Sequence, residues 1–163
     1  DKYDGRVHQP PIKGVALAMN EAIGIIGIGC PDEAPLLAFI SLLAPAIAMG
    51  NRVIIIPSEK APLIATDFYQ VLETSDVPAG VVNIVTGNRD SLVKVLAEHE
   101  QVESLWYHGS LEGSKMVELA AAANLKRTWV NYGDEMDWLA NGEAKQFLRA
   151  SCEVKNIWIP YGD

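Results

Sequence analysis

The residues equipped for chemistry are few and scattered along the chain. Ser151 and Cys152 set a hydroxyl beside a thiol, both nucleophile types, yet the neighbouring Glu153 is negative where a reactive thiolate needs positive surroundings. Taken alone, that pair reads better as buried structural cysteine. His108-Gly109-Ser110 ends a strand-like run and opens a helix-like one, so its backbone N–H groups could cradle a phosphate or simply cap the helix. Glu59, in the loop IPSEKAP, could hold a ribose diol or stand in solvent. Asp32 and Glu33 precede a helix, and with no histidine or third acid near them in sequence, capping or solvation is favoured over acid–base work. Gly27-Ile28-Gly29 runs into Cys30, Pro31 and Asp32, which fails the dinucleotide fingerprint; those glycines read as room for close strand–helix packing. His8, His99 and His108 lack ligand spacing, so no metal site is expected.

The segments that must position these groups alternate between two periods. Short runs rich in Val and Ile predict strands over Ile23–Ile28, Arg52–Ile56, Val81–Val85, Val102–Tyr107, Thr128–Asn131 and Asn156–Pro160. Helices are expected between them, over Pro35–Met49, Pro62–Thr74, Asp90–His99, Leu111–Ala123 and Glu135–Arg149. Pro62 suits a first helical position and Asp90 an N-cap. Near-continuous apolar strands such as VIII imply burial on both faces, which predicts an α/β, doubly wound, Rossmann-like parallel sheet with helices on both faces. VALAMNEA, which alternates apolar and polar residues, fits an edge hairpin or lead-in strand.

A chain of 163 residues is expected to form one domain, 1–163, and to bury roughly 70% of the surface its unfolded form exposes. Its abrupt start on DKYDGRV and stop on IPYGD suggest a piece of a longer chain. The net charge of −8 disfavours the phosphate contacts that dominate nucleic-acid binding. The apolar window Ala34–Met49 is too short to cross a bilayer and is interrupted by Pro45, so it reads as a buried helix and no membrane partner is expected. Two cysteines outside any CxxC spacing, with no secretory signal visible, fit a cytoplasmic location.

Several segments, in order, resemble the cofactor-binding domain of the aldehyde dehydrogenase superfamily, and the resemblance covers nearly the whole chain. EAIGIIGIGCPDEAPL is similar to the family's EPVGVxxxIxPWNFPL, and LAPAIAMGNRVIIIPSEKAPL to its PALAxGNxVVxKPSExTP. VPAGVVNIVTG is similar to PxGVVNxVxG, VESLWYHGSLEGSK to VxxVxFTGSTxxG, and NLKRTWVNYGD to LKxxxLELGG. The resemblance implies an NAD-dependent oxidoreductase as the parent protein, with Glu59, Gly109 and Ser110 at the cofactor positions that match.

The departures fall on the reactive groups. Glu33 stands where the family has its oxyanion-donating Asn, and Asn131 where it has the general base. Ile56 replaces a ribose-holding Lys, and counting back from NIWIP puts Ser151 at the catalytic Cys with Cys152 one place late. No residue is therefore assigned a catalytic role. Within the superfamily the chain resembles the degenerate, non-catalytic second unit of family-16 enzymes, which implies a structural or assembly role beside a catalytic unit of the same chain or a second subunit, a homo-oligomeric parent that uses NAD, and no cofactor on this domain. The alternative is an active NAD(P)-dependent aldehyde oxidoreductase with Cys152 as nucleophile.

Overall fold

The computed structural model describes residues 5–142 and 145–161. Its centre is a five-stranded, all-parallel sheet of β3 (Ile25–Gly29), β4 (Arg52–Ile56), β5 (Val82–Ile84), β6 (Ser104–Tyr107) and β7 (Arg127–Val130), in the order β5-β4-β3-β6-β7. The strands alternate with α1 (Pro35–Ala48), α2 (Pro62–Asp67), α3 (Tyr69–Glu73), α4 (Arg89–Glu98) and α5 (Leu111–Ala121). The doubly wound reading is correct: Ile26, Ile28, Val53, Ile55 and Trp106 pack one face against α1, while Leu105, Tyr107 and Ile56 face Val93 and Ala97 of α4 and Val117 of α5.

The opening glycines do what close packing requires. A Cβ on Gly27 would lie 2.6 Å from Leu105 Cδ1, and one on Gly29 would lie 2.8 Å from Val93 Cγ2. Their missing side chains let α4 sit directly on β3. Pro62 begins α2 as expected, after Ala61. At α4 the cap is Asn88, whose side chain accepts from Ser91 N, and the expected cap Asp90 lies within the first turn. The run expected as one helix over 62–74 breaks at Phe68 into α2 and α3. Of the run expected as one helix over 135–149, residues 143–144 lie outside the described residues; among the described ones it forms α6 (Trp138–Asn141) and α7 (Lys145–Ala150).

One expected strand belongs elsewhere. NIWIP forms the end of β8 (Cys152–Pro160), which leaves the parallel sheet and runs antiparallel to β2 (Gly14–Ala22), from Ala22 opposite Cys152 to Gly14 opposite Pro160. With β1 (Arg6–His8) these make a separate three-stranded sheet in the order β1-β2-β8. The lead-in strand VALAMNEA is its middle member. Apolar alternation cannot distinguish a parallel from an antiparallel partner, so sequence periodicity gave β8 its type and misplaced it.

Asn51 locks the junction between the two sheets. Only 1% exposed, its Oδ1 accepts from Ile23 N and Gly24 N, and its Nδ2 donates to the carbonyls of Ala46 and Ser151. An amide has the donors and acceptors to satisfy all four groups; a carboxylate would lack the donors.

Candidate functional site

From β3 the chain winds outward through β4 to β5 and then returns to β6 beside β3, so the topological switch point lies between the carboxyl ends of β3 and β6. Ligands of open parallel sheets bind there. The structure has a crevice of about 250 Å³ at that place, lined by Asp32 and Glu33 after β3, Arg89 at the start of α4, Gly109 and Ser110 after β6, and Asn131, Gly133, Asp134 and Glu135 after β7. Four carboxylates face one guanidinium.

The polar groups of the expected site are largely engaged with one another. Gly109 N donates to Asn131 Oδ1 at 2.9 Å, and Asn131 Nδ2 donates to the Asp134 carbonyl at 2.9 Å. Ser110 Oγ accepts from Gly113 N as the cap of α5, and Ser110 N donates to Tyr107 Oη at 3.3 Å. Glu59 Oε1 accepts from Arg89 N and Asn88 Nδ2, which ties the loop after β4 to the start of α4. Glu59 is not in the crevice lining, whereas Gly109 and Ser110 are. Ser110 caps α5, and Glu59 is exposed while its carboxylate holds the Arg89 backbone.

Asp32 does not cap α1, which has no side-chain cap. It accepts from Ser58 Oγ at 2.6 Å and lies 3.7 Å from an Arg89 guanidinium nitrogen. Burial pushes the Asp32 carboxyl upward, but the Ser58 bond and the positive charge of Arg89 outweigh it and hold the group below its ordinary range. Burial likewise opposes the charge on Arg89, and Tyr107, Asp32 and Asp90 more than restore it. Tyr107 rises through burial and its bond to Asp90.

Neither thiol reaches this crevice. Cys152 opens β8 opposite Ala22, and the carbonyl of Ser151 is bound by Asn51, immediately before β4. Ser151 and Cys152 therefore sit at the amino edge of the parallel sheet, separated from its carboxyl edge by the five residues of β3, roughly 16 Å at about 3.3 Å each. Ser151 Oγ is fully buried and donates to the Phe147 carbonyl. Burial raises the Cys152 thiol despite the opposing charges of Arg127 and Arg149. Cys30 is nearer the crevice but wholly buried, and burial drives its thiol up as well. NIWIP, the strand from which Ser151 is counted, belongs to the antiparallel sheet.

Sequence reasoning missed Arg89, Tyr107 and Asn51. Arg89 carried a readable signal, since a cation in the first turn of a helix opposes the macrodipole and implies a tertiary partner. His108 is 3% exposed, and its ring meets those of Trp129 and Trp138 edge-on at 5.2 and 5.5 Å. Burial lowers it to about 4. It is an imidazole held neutral by aromatic packing. Among the described residues no group of His, Cys, Asp or Glu could hold a metal ion, and no helix is long and apolar enough to cross a membrane.

The fit to a dinucleotide is poor. The N–H groups of Gly109 and Ser110, just before α5, are engaged by Asn131 and Tyr107, and Asp32, Glu33, Asp134 and Glu135 surround the place with charge of the same sign as a phosphate.

Comparison with known proteins fixes the lineage. The chain is 30% identical over 163 residues to human retinaldehyde dehydrogenase 3, covering 99% of this chain and 32% of that protein. It is 34% identical over 134 residues to the NADP/NAD-dependent aldehyde dehydrogenase PuuC of Escherichia coli, covering 82% of this chain and 27% of that one. The gamma-glutamyl-gamma-aminobutyraldehyde dehydrogenase structure from Burkholderia cenocepacia superposes with a TM-score of 0.74 at 36% identity, over 80% of this chain and 26% of that one. An indole-3-acetaldehyde dehydrogenase solved with NAD+ gives 0.73 at 33% identity, over 79% and 26%. The chain thus spans between about a quarter and a third of the length of these relatives. Residues 1–144 match the aldehyde dehydrogenase family, and the chain belongs to it.

Proposed function

We propose that this chain is a non-catalytic aldehyde-dehydrogenase-like domain with a structural or assembly role in a larger, NAD-dependent aldehyde dehydrogenase, of the kind formed by the second unit of family-16 enzymes. One observation carries the reading: the crevice at the switch point holds carboxylates and no thiol, while Cys152 lies at the opposite edge of the sheet. Covalent attack on a carbonyl needs a nucleophile and oxyanion donors within one site. Negative charge at Glu33 opposes a developing oxyanion, and Asn131 cannot shuttle a proton near neutral pH. NAD and aldehyde belong, on this reading, to the catalytic unit of the same chain or of a second subunit in a homo-oligomer.

The antiparallel sheet offers the assembly surface. The strand register puts Val7, Val15, Leu17, Met19, Ile157 and Ile159 on one face, and Val7 is 70%, Met19 45% and Ile159 46% exposed. A contiguous exposed apolar face of this kind marks a protein contact. In the longer protein, Val7→Glu with Ile159→Glu should lower the assembled mass by light scattering, while Cys152→Ala should leave turnover per catalytic unit unchanged. Loss of turnover on removing Cys152, with assembly intact, would contradict the proposal.

A further inference from the structure

The crevice has a cation built into its wall. Arg89 lines it from the first position of α4, its guanidinium donating to the Cys30 carbonyl at 2.9 Å and lying 5.6 Å above the centre of the Tyr107 ring. Its side chain is only 12% exposed. Its stem packs beside Gly29, where a Cβ would stand in ordinary contact with Arg89 Cγ at 3.5 Å. Asp32, braced by Ser58, supplies the counter-charge; Glu59 holds the Arg89 backbone; and the Tyr107 hydroxyl bonds both Asp90 and the start of α5. The loops after β3, β4 and β6 are thereby joined through one cation and its acids.

We infer that Arg89 is the crevice's resident ligand, a guanidinium supplied by the chain itself that joins the strand ends at the switch point and excludes a dinucleotide from that space. The inference rests on the non-catalytic reading in one respect, that no cofactor is needed here. It adds a recognition chemistry: an aromatic ring below, a carbonyl and a carboxylate at the rim, which together fit a planar cation. The Arg89→Ala variant should therefore leave a site for methylguanidinium.

Thermal melting of the whole chain tests this. Arg89→Ala should melt roughly 5 °C below the parent. Millimolar methylguanidinium should raise the Tm of the variant in a concentration-dependent way, neutral methylurea should not, and the parent should respond to neither. NAD at millimolar concentration should not move the parent's Tm. Equal responses of the variant to methylguanidinium and methylurea, or a rise in the parent's Tm with NAD, would overturn the inference. Should Arg89→Ala fail to fold, Arg89→Gln, which retains much of the stem, takes its place with the same outcomes. Failure here would leave the assembly proposal standing, because that proposal is judged by mass and turnover in the longer protein.

Discussion

Asn51 Nδ2 donates to the carbonyl oxygen of Ser151 at 2.7 Å, across a separation of 100 residues. This bond fixes where the second sheet leaves the first, and it holds Ser151 and Cys152 at the amino edge of the parallel strands, away from every loop at the carboxyl edge. Asn51→Ala would leave two backbone N–H groups and two carbonyls without that partner in a buried place, at a cost of about 3 kcal/mol. Urea denaturation measures it; a loss below about 1 kcal/mol would show that the junction is held by other contacts.

Lys126 plays a similar part at the far end of α4. Its ammonium donates to the carbonyls of Leu96, His99 and Val102 at 3.1, 2.7 and 2.6 Å, and burial lowers its pKa. Lys126→Met should destabilise the fold by about 2 kcal/mol, because it leaves three carbonyls without their donor and removes a cation from a helix C-terminus. An unchanged urea midpoint would contradict this.

His108 makes stability depend on pH. Its ordinary value of 6.5 falls to about 4 in the fold, so between those values the unfolded chain binds the proton more readily than the native one. Stability from this group is complete above the ordinary value and is lost as pH falls towards the folded value, by on the order of 3 kcal/mol in total. His108→Gln should flatten the pH dependence of the urea midpoint across that window. Parallel curves for parent and variant would contradict the neutral, buried assignment.

How far the sequence could be read follows from which physics is local. The parallel sheet and its helices were legible because apolar runs bounded by turns record burial directly. The glycines of GIIGIG were legible as packing residues, and the structure places Val93 and Leu96 against them. The partner of β8 was not legible, since pairing direction depends on where the rest of the chain goes. Nor were the couplings of Glu59 to Arg89 and of Asn131 to Gly109, which join residues 30 and 22 positions apart in sequence. A replaced catalytic residue looked from sequence like a loss alone; Asn131 has gained a bridging bond that its amide makes with both a donor and an acceptor.

Tyr107 limits what α5 tolerates. A Cβ on Gly113 would overlap the Tyr107 hydroxyl, and one on Gly109 would lie 2.6 Å from it. Gly113→Ala should cost about 2 kcal/mol through overpacking, and Tyr107→Val in the same chain should recover part of it. Strict additivity of the two substitutions in a double-mutant cycle would show that the ring does not fill that space.

The central claim is that the thiol of Cys152 and the acid-lined crevice lie at opposite ends of one sheet and do no chemistry together. Its most direct test is NADH formation by the purified chain supplied with an aldehyde and NAD, measured alongside the Cys152→Ala variant. The structure predicts no turnover above the protein-free rate from either. Steady NADH production by the parent that disappears in Cys152→Ala would contradict it.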